Sequence, residues 1–326
     1  MSARAILVTG GAGYIGSHVV LALLERGEAV VVLDNLSTGF RRLVPEQASF
    51  VLGDVGDADL LDRLLAEHWV DAIIHFAGSV VVPESVADPL AYYFNNTVKS
   101  HALIQAALRN DIRNFIFSSS AAVYGTPASN PVNEDAALRP ISPYGSSKLM
   151  TETMLADVSR ASELRYVALR YFNVAGADPQ GRSGQCSPVA THLIKVACEV
   201  VYGRRPHLEI FGVDYPTTDG SCVRDYIHVT DLAEAHVQAL SWLRKGRGSL
   251  VVNCGYGRGY SVLEVADCVK RVSGTDFKVV VGPPRAGDPP SLVAGVDFIG
   301  ETLGWHPHFN GLELIVNHAL AWEGSL

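Results

Sequence analysis

Residues 5–16 read Ala5-Ile6-Leu7-Val8-Thr9-Gly10-Gly11-Ala12-Gly13-Tyr14-Ile15-Gly16, a strand-length apolar run entering a glycine-rich turn and then an apolar helical pattern. Glycines at 10, 13 and 16 let the chain turn tightly, let its backbone approach a pyrophosphate, and let the helix pack close to the strand. The helix N-terminus then offers oriented N–H groups to phosphate oxygens. Asp34 closes the next strand-like run 18 residues beyond Gly16. An acid there accepts the ribose hydroxyls of an adenosine and repels a 2′-phosphate, so the turn predicts NAD in preference to NADP. Strand before, helix after and acid at the second strand end together raise this turn above an incidental glycine pattern.

Working outward, strand-length apolar runs recur at 29–33, 49–52, 71–75, 114–118 and 165–169, with helical spacing at 15–25, 59–67, 90–109 and 144–160. Strands alternating with helices predict a parallel sheet covered on both faces, a doubly wound α/β (Rossmann) domain whose ligands bind at the carboxyl ends of the strands. Beyond Asn173 glycine and proline become denser, loops are predicted at 176–187, 214–221 and 282–290, and helices near 189–202 and 262–273. These features predict an NAD-binding domain over 1–173 and a smaller C-terminal α/β substrate domain over 174–326, some of whose segments return to the first. Asp54, in the turn after the third strand, reads either as a cap or as a contact to the adenine edge.

Composition bounds the function. Of 326 residues, 48% are hydrophobic and 18% charged, and 26 Lys and Arg against 34 Asp and Glu leave a net charge of −8. A nucleic-acid binder shows a basic patch or stripe instead, so any anion must be gripped locally. No run of 18 apolar residues exists, and the run after Arg4 breaks at Thr9, Gly10 and Gly11, which argues against a membrane span and a secretory leader. Cys186, Cys198, Cys222, Cys254 and Cys268 are odd in number and form no C-x-x-C pair, so they read as free thiols of a reducing cytoplasm. The eleven histidines show no metal-ligand spacing, and no metal is expected.

Ser142-Pro143-Tyr144-Gly145-Ser146-Ser147-Lys148 carries the chemistry. Pro143 suits a first helical turn, so Tyr144 and Lys148 share one face at i and i+4. A phenol with a pKa of about 10 is a poor base at neutral pH, and bringing it to about 7 takes roughly 4 kcal/mol of preferential phenolate stabilisation. A neighbouring ammonium and a cationic nicotinamide ring supply that. Ser118, Ser119 and Ser120 end the fifth strand, where Ser120 can hydrogen-bond the oxygen that Tyr144 deprotonates.

The glycine turn, the serine at the fifth strand end and Tyr-x-x-x-Lys together resemble the extended short-chain dehydrogenase/reductase family. Within it, Asp34-Asn35-Leu36, His75-Phe76-Ala77-Gly78, Tyr92-Tyr93-Phe94-Asn95-Asn96, Arg170-Tyr171-Phe172-Asn173 and Val223-Arg224-Asp225-Tyr226-Ile227-His228-Val229 are similar to blocks of its UDP-glucose 4-epimerase branch. The resemblance implies reversible inversion at C4 of UDP-glucose and UDP-galactose through a transient 4-keto sugar, with tightly held NAD as the hydride carrier. It implies Tyr144 as base, Lys148 as the group that lowers its pKa, and Ser120 as support for the proton transfer. Gly10, Gly13, Tyr14, Ile15, Gly16, Asp34, Asn35, Asp54, Val55, Phe76, Ala77, Gly78, Asn95, Ser118 and Phe172, together with Tyr144 and Lys148, would line NAD. Asn173, His192, Leu193, Phe211, Arg224, Arg285 and Asp288, with Ser120 and Tyr144, would hold the UDP-hexose, the two arginines through charge-assisted bonds to its diphosphate. A homodimer is implied as well, pairing the 90–109 helix with the Tyr144 helix across a two-fold axis.

The rivals differ in reaction or in substrate. Dehydratases and decarboxylases of the superfamily carry a carboxylate just before Val-Tyr-Gly, where this chain has Ala121-Ala122. A non-catalytic NAD-sensing protein usually lacks the tyrosine or the lysine, and both are here. A 4-epimerase of UDP-N-acetylhexosamine or of UDP-hexuronate stays open. The chain departs from the pattern at Val80, where some members have a lysine near the nicotinamide, and at Leu292, where a tyrosine limits bulk in some members. It departs again at Thr191-His192-Leu193 in place of Asn-Asn-Leu, so that His192 reads either as a replacement donor or as a solvent-facing side chain.

Overall fold

The computed structural model describes residues 4–187, 191–285 and 288–326. Two compact units emerge: one from the stretch ending at Val123, Pro140–Arg170 and Ala233–Val252, the other from Tyr124–Arg139, Tyr171–Leu232 and Asn253–Leu326.

The first unit is built on β1 (Ala5–Thr9), β2 (Ala29–Asp34), β3 (Ser49–Leu52), β4 (Val70–His75), β5 (Asn114–Ser118) and β6 (Arg165–Tyr171). With the strand Leu250–Cys254 at one edge they form a seven-stranded sheet, in the order Leu250–Cys254, β6, β5, β4, β1, β2, β3. β1 pairs in parallel with both β2 and β4, as do β2 with β3, β4 with β5 and β5 with β6. Thr9 lies level with Leu33 on one side and His75 on the other, so β1, β2 and β4 end together where the strand order reverses. That is the switch point at which such sheets bind ligands.

The period of two explains why the strands are apolar throughout. Leu7, Val31, Leu33, Ile73, Phe115 and Phe117 pack into one cluster with Leu61, Leu64 and Leu65 of the helix Ala58–Glu67, Leu103 and Ala107 of Lys99–Arg109, and Leu155 of Pro143–Ala161. The alternate residues Ile6, Val8, Val32, Ile74 and Ile116 are equally buried, as expected of a sheet covered on both faces.

The helix expected over 90–109 is present but is not α-helical throughout. Residues Pro89–Tyr92 are α-helical, Tyr93–Val98 form a π-helix, and Lys99–Arg109 resume the α-helix. The wider turn accommodates Asn96, whose buried amide donates to the Ser79 carbonyl (3.0 Å) and Ser147 Oγ (3.1 Å) while its oxygen accepts from Ser79 N–H (2.7 Å). Tertiary hydrogen bonds thus override helical spacing in the sequence.

In the second unit the strand Val223–His228 organises the sheet. Its first half pairs with Gly259–Ser261 and Ser291–Leu292, its second with Asn173–Ala175. Leu208–Phe211 and Val279–Gly282 make a separate parallel pair. The helices Leu193–Val201, Val262–Ser273 and Leu312–Ser325 contribute Ile194, Cys198, Val265, Val269, Ile315 and Val316 to one core. Val262–Ser273 matches its expected bounds because Ser261 and Glu264 form a capping box at its start and Gly274 ends it at φ +66°. The helix expected over 189–202 is described as Leu193–Val201, its residues 189 and 190 lying outside the described residues.

Candidate active site

The glycine turn is held from both neighbouring strands. Asp34 Oδ2 accepts from Ala12 N–H (3.0 Å) and Oδ1 from Leu36 N–H (2.8 Å), so the acid fixes the turn as well as facing the switch point. The N–H groups of Phe76 and Ala77 both donate to the Thr9 carbonyl, at 2.9 and 3.2 Å. Gly10 adopts φ +72°, and a Cβ there would sit 2.6 Å from Ala77 N. A Cβ at Gly16 would strike the Gly10 carbonyl oxygen. Side chains are excluded for backbone reasons, as a pyrophosphate cradle requires. Gly13 caps the helix Tyr14–Leu24 with no side-chain bond, and the first turn carries no acid. No carboxylate of the first turn therefore competes with an anion at this helix end, which fits the NAD expected at this turn.

Other expected cofactor residues take definite places around it. Tyr14 and Ile15 are half-buried, Tyr14 packing edge-on to His18 at 5.4 Å. The Phe76 ring packs against His236, 4.8 Å between centroids. Gly78 lies against Asn96, and Asn95 Nδ2 donates to Ser79 Oγ at 2.9 Å. Asp54 accepts from Gly56 N–H (2.8 Å), Lys99 Nζ (2.7 Å) and the exposed Asn35 (3.3 Å). Partial burial raises its pKa, but these partners outweigh it and hold the carboxyl below its usual range. Val55 beside it is a core residue.

Tyr144, Lys148 and Ser120 come together as the spacing predicts. Ser142 Oγ caps the helix Pro143–Ala161 by accepting from Gly145 N–H, with Pro143 in the first turn. Gly145 permits the helix to approach the turn after β5: a Cβ there would lie 2.5 Å from the Ala122 carbonyl oxygen. Lys148 Nζ donates to the Ser118 carbonyl (2.8 Å) and lies 5.9 Å from the Tyr144 ring centroid. Tyr144 shares a hydrogen bond with Ser120.

Burial pushes the Tyr144 phenol above its ordinary pKa, and the Ser120 bond works the other way. Burial likewise pushes Lys148 down to about 8, opposed by the charge of Glu152. The Tyr144 environment, Lys148 included, therefore leaves the phenol a weaker acid than usual, opposite to the lowering expected from the sequence. Sequence reasoning missed Asn96, and it missed Glu152, one turn after Lys148, although the 144, 148, 152 spacing was visible.

In the second unit, Phe211 and Arg285 form a stack, the guanidinium carbon 3.6 Å from the ring centroid. Arg224 donates to the Val223 carbonyl (2.9 Å) and faces Asp288 at 3.6 Å. Asp225, which no sequence argument singled out, is fully buried and accepts from the N–H groups of Tyr256, Gly257 and Ala294. It ties the loop after Leu250–Cys254 to the strand that carries Arg224. Asn173 and Leu193 line one cavity with Lys195, Tyr226 and Glu323, and Leu193 also packs on the core. Phe172 is buried, its N–H donating to the Cys254 carbonyl. Leu292 is buried and registers opposite Arg224. His192 is exposed, with Nδ1 2.7 Å from Gln185 Nε2, so its ring already has a protein partner. Among the described residues no group of three or more His, Cys, Asp and Glu is placed to hold a metal ion, and no helix is long and apolar enough to cross a membrane.

The sequence model of the NAD dependent epimerase/dehydratase family matches residues 6–255. A UDP-glucose 4-epimerase of Azospirillum brasilense is 60% identical over 321 residues, 98% of this chain and 92% of that protein. The structure of UDP-glucose 4-epimerase from Brucella ovis in complex with NAD is similar at TM-score 0.96 and 46% identity, covering 99% of each chain. That of UDP-glucose-4-epimerase from Stenotrophomonas maltophila, with bound NAD and formylated UDP-arabinopyranose, gives 0.95 and 36% identity over 99% of this chain and 98% of that one.

Proposed function

The chain belongs to the NAD dependent epimerase/dehydratase family, and on that premise we propose that it inverts C4 of the hexose in UDP-glucose, reversibly, to give UDP-galactose. The observation that carries the reading is the contact of Tyr144, Lys148 and Ser120 at the end of β5 in the same sheet as the glycine cradle.

NAD supplies the acceptor, and then the donor, of the C4 hydrogen. The residues of the chain handle the proton and the binding. Tyr144 takes the proton of the 4-hydroxyl, and Ser120 steadies that oxygen. Lys148, fixed to the Ser118 carbonyl, stabilises the phenolate by its charge. The resulting 4-keto sugar turns over, so that C4 regains its hydrogen on the opposite face while Tyr144 returns the proton to the 4-oxygen. Inversion without net oxidation needs a firm grip at the nucleotide and a loose one at the sugar. Arg224 and Arg285 grip the diphosphate, Phe211 packs the nucleotide side, and Asn173 and Asp288 complete the substrate contacts. Loss of the Asp288 partnership as Arg224 turns to a phosphate costs little, since the pair is long and part-exposed.

We infer a homodimer from a stripe in the first unit. Val86, Leu90, Phe94 and Val98, spaced by four, are each more than half exposed, and Met150 beside Thr97 extends the stripe to the Tyr144 helix. Five cysteines, none of them in a disulfide, suit a cytoplasmic location.

The deciding experiment incubates purified NAD-containing protein with UDP-glucose, UDP-N-acetylglucosamine and UDP-glucuronate separately and resolves the products. UDP-galactose is expected from the first. Turnover confined to either of the other two would overturn the substrate assignment, and undiminished turnover by Tyr144→Phe would overturn the base.

A further inference from the structure

The three serines that end β5 are used separately. The Ser118 carbonyl receives Lys148, and the Ser120 hydroxyl meets Tyr144. Ser119 between them is fully buried, and its hydroxyl donates to Glu152 Oε1. Glu152 is gripped in turn by Arg170, whose Nε lies 3.0 and 3.2 Å from the two carboxylate oxygens and whose Nη2 lies 2.6 Å from Oε2. The Arg170 and Glu152 side chains are only 4% and 5% exposed. The Ser119 N–H donates to the Leu169 carbonyl (3.0 Å), so Ser119 is tied to β6 by its backbone and to Glu152 by its side chain.

A buried ion pair of this kind is weak evidence for stability, because well-packed apolar residues of similar volume often serve as well or better. Its geometry offers another role. Glu152 stands one turn beyond Lys148 and two beyond Tyr144 on the same helix, and it reaches the one serine of the three that the chemistry does not use.

We propose that Ser119, Glu152 and Arg170 are positioning residues for the epimerisation, setting the peptide of residues 118–120 so that one carbonyl anchors Lys148 and one hydroxyl meets Tyr144. The proposal rests on Tyr144 being the base. With the Ser119 hydroxyl removed, the 118–120 segment loses its tie to the helix, and the Ser118 carbonyl and Ser120 hydroxyl are held against it less firmly. Both disturbances fall on proton transfer and neither on the uridine diphosphate grip.

The test compares Ser119→Ala, Ser119→Thr and Arg170→Lys as NAD-containing enzymes, with Tyr144→Phe beside them. Ser119→Ala is expected to lower kcat roughly tenfold, short of the hundredfold that a 1 Å misplacement can cost. KM for UDP-glucose and the bound NAD should stay within about twofold, since uniform binding is untouched. Ser119→Thr, which restores the hydroxyl, should recover kcat to within about threefold of the parent. Arg170→Lys keeps the charge but loses the two-pronged grip, and should reproduce the kcat loss if Ser119→Ala does not fold. A parental kcat in folded Ser119→Ala, a loss carried by KM instead, or a threonine variant no better than alanine would overturn the relay while leaving Tyr144 in place. Retained turnover in Tyr144→Phe would bring down the base assignment, and the relay with it.

Discussion

Replacing Lys148 by methionine removes one buried charge and keeps an unbranched side chain one atom shorter. The ammonium lies 5.9 Å from the Tyr144 ring centroid. At an effective dielectric of about 20, a unit charge pair at that distance attracts by about 3 kcal/mol. At about 1.4 kcal/mol per unit, its loss raises the Tyr144 pKa by about 2 units. The phenolate fraction well below the pKa falls with it, so kcat at pH 7 should drop about a hundredfold. The sign follows from the acid: a raised phenol pKa demands a higher pH for the same fraction of base. The kcat profile of Lys148→Met should therefore keep climbing tenfold per pH unit beyond the point where the parent levels off. The assay is kcat against pH at saturating UDP-glucose, with bound NAD quantified after denaturation to exclude cofactor loss. Lys148→Arg retains charge and should lose less. If NAD-loaded Lys148→Met stayed within threefold of the parent at pH 7, or showed a loss that alkaline pH did not recover, Lys148 would not be acting through the phenol.

Gly16→Ala drives a Cβ into the Gly10 carbonyl oxygen, an overpacking cost of about 1–3 kcal/mol; it should lower Tm and empty the protein of NAD, and parental NAD content would show that the cradle needs no close approach there. His75 is buried between Thr9 Oγ1 and Ser100 Oγ, and burial, then the Lys148 charge, depress its pKa from 6.5 to about 3. The unfolded chain thus binds the extra proton first, so this stabilising contribution is complete above about pH 6.5 and drains away as pH falls toward 3. Thermal melts between pH 4 and 7 should show the slope, and His75→Gln should flatten it whatever its absolute Tm. Arg285→Met removes the cation over Phe211 and the charge offered to the diphosphate, so KM for UDP-glucose should rise about tenfold with kcat unchanged; a kcat loss at constant KM would place Arg285 in the chemical step. Phe94→Glu in the exposed stripe should give monomers by sedimentation at nearly parental Tm, whereas persistent dimers would locate the interface elsewhere.

Local chemistry was legible wherever one stretch of chain sets it. The glycine turn, the strand alternation and the helix begun by Ser142 and Pro143 need only neighbours in sequence, and each stands where the periodicity indicates. The π-turn at Tyr93–Val98 was not legible, because its cause is an amide bonded to Ser79 and Ser147, residues 17 and 51 positions away. Asp54 shows the same limit: its ion pair with a lysine 45 residues later has no signal in the turn itself. Arg170 and Glu152, 18 residues apart, look like routine charges on separate elements until the packing of β6 against the helix buries both. Residue type and spacing singled out the group proposed to react, and long-range packing shows the groups around it.

The opposed pKa directions at Tyr144 and Lys148 explain why that holding matters. Burial disfavours phenolate and ammonium alike, raising the one and lowering the other, so a dry site works against the base. The same dryness strengthens the attraction between the two once both are charged, because the interaction scales inversely with local dielectric and with distance. Catalysis at neutral pH then depends on separation: a shift of Lys148 away from the phenol leaves the desolvation cost in place and removes its compensation. Glu152, one turn on, is the natural competitor for the ammonium, and its charge already raises the Lys148 pKa. Arg170 occupies both oxygens of that carboxylate, and the Ser118 carbonyl holds the ammonium instead. The buried ion pair therefore keeps Glu152 close enough to help Lys148 stay charged, yet engaged elsewhere, so that the ammonium's field remains on Tyr144.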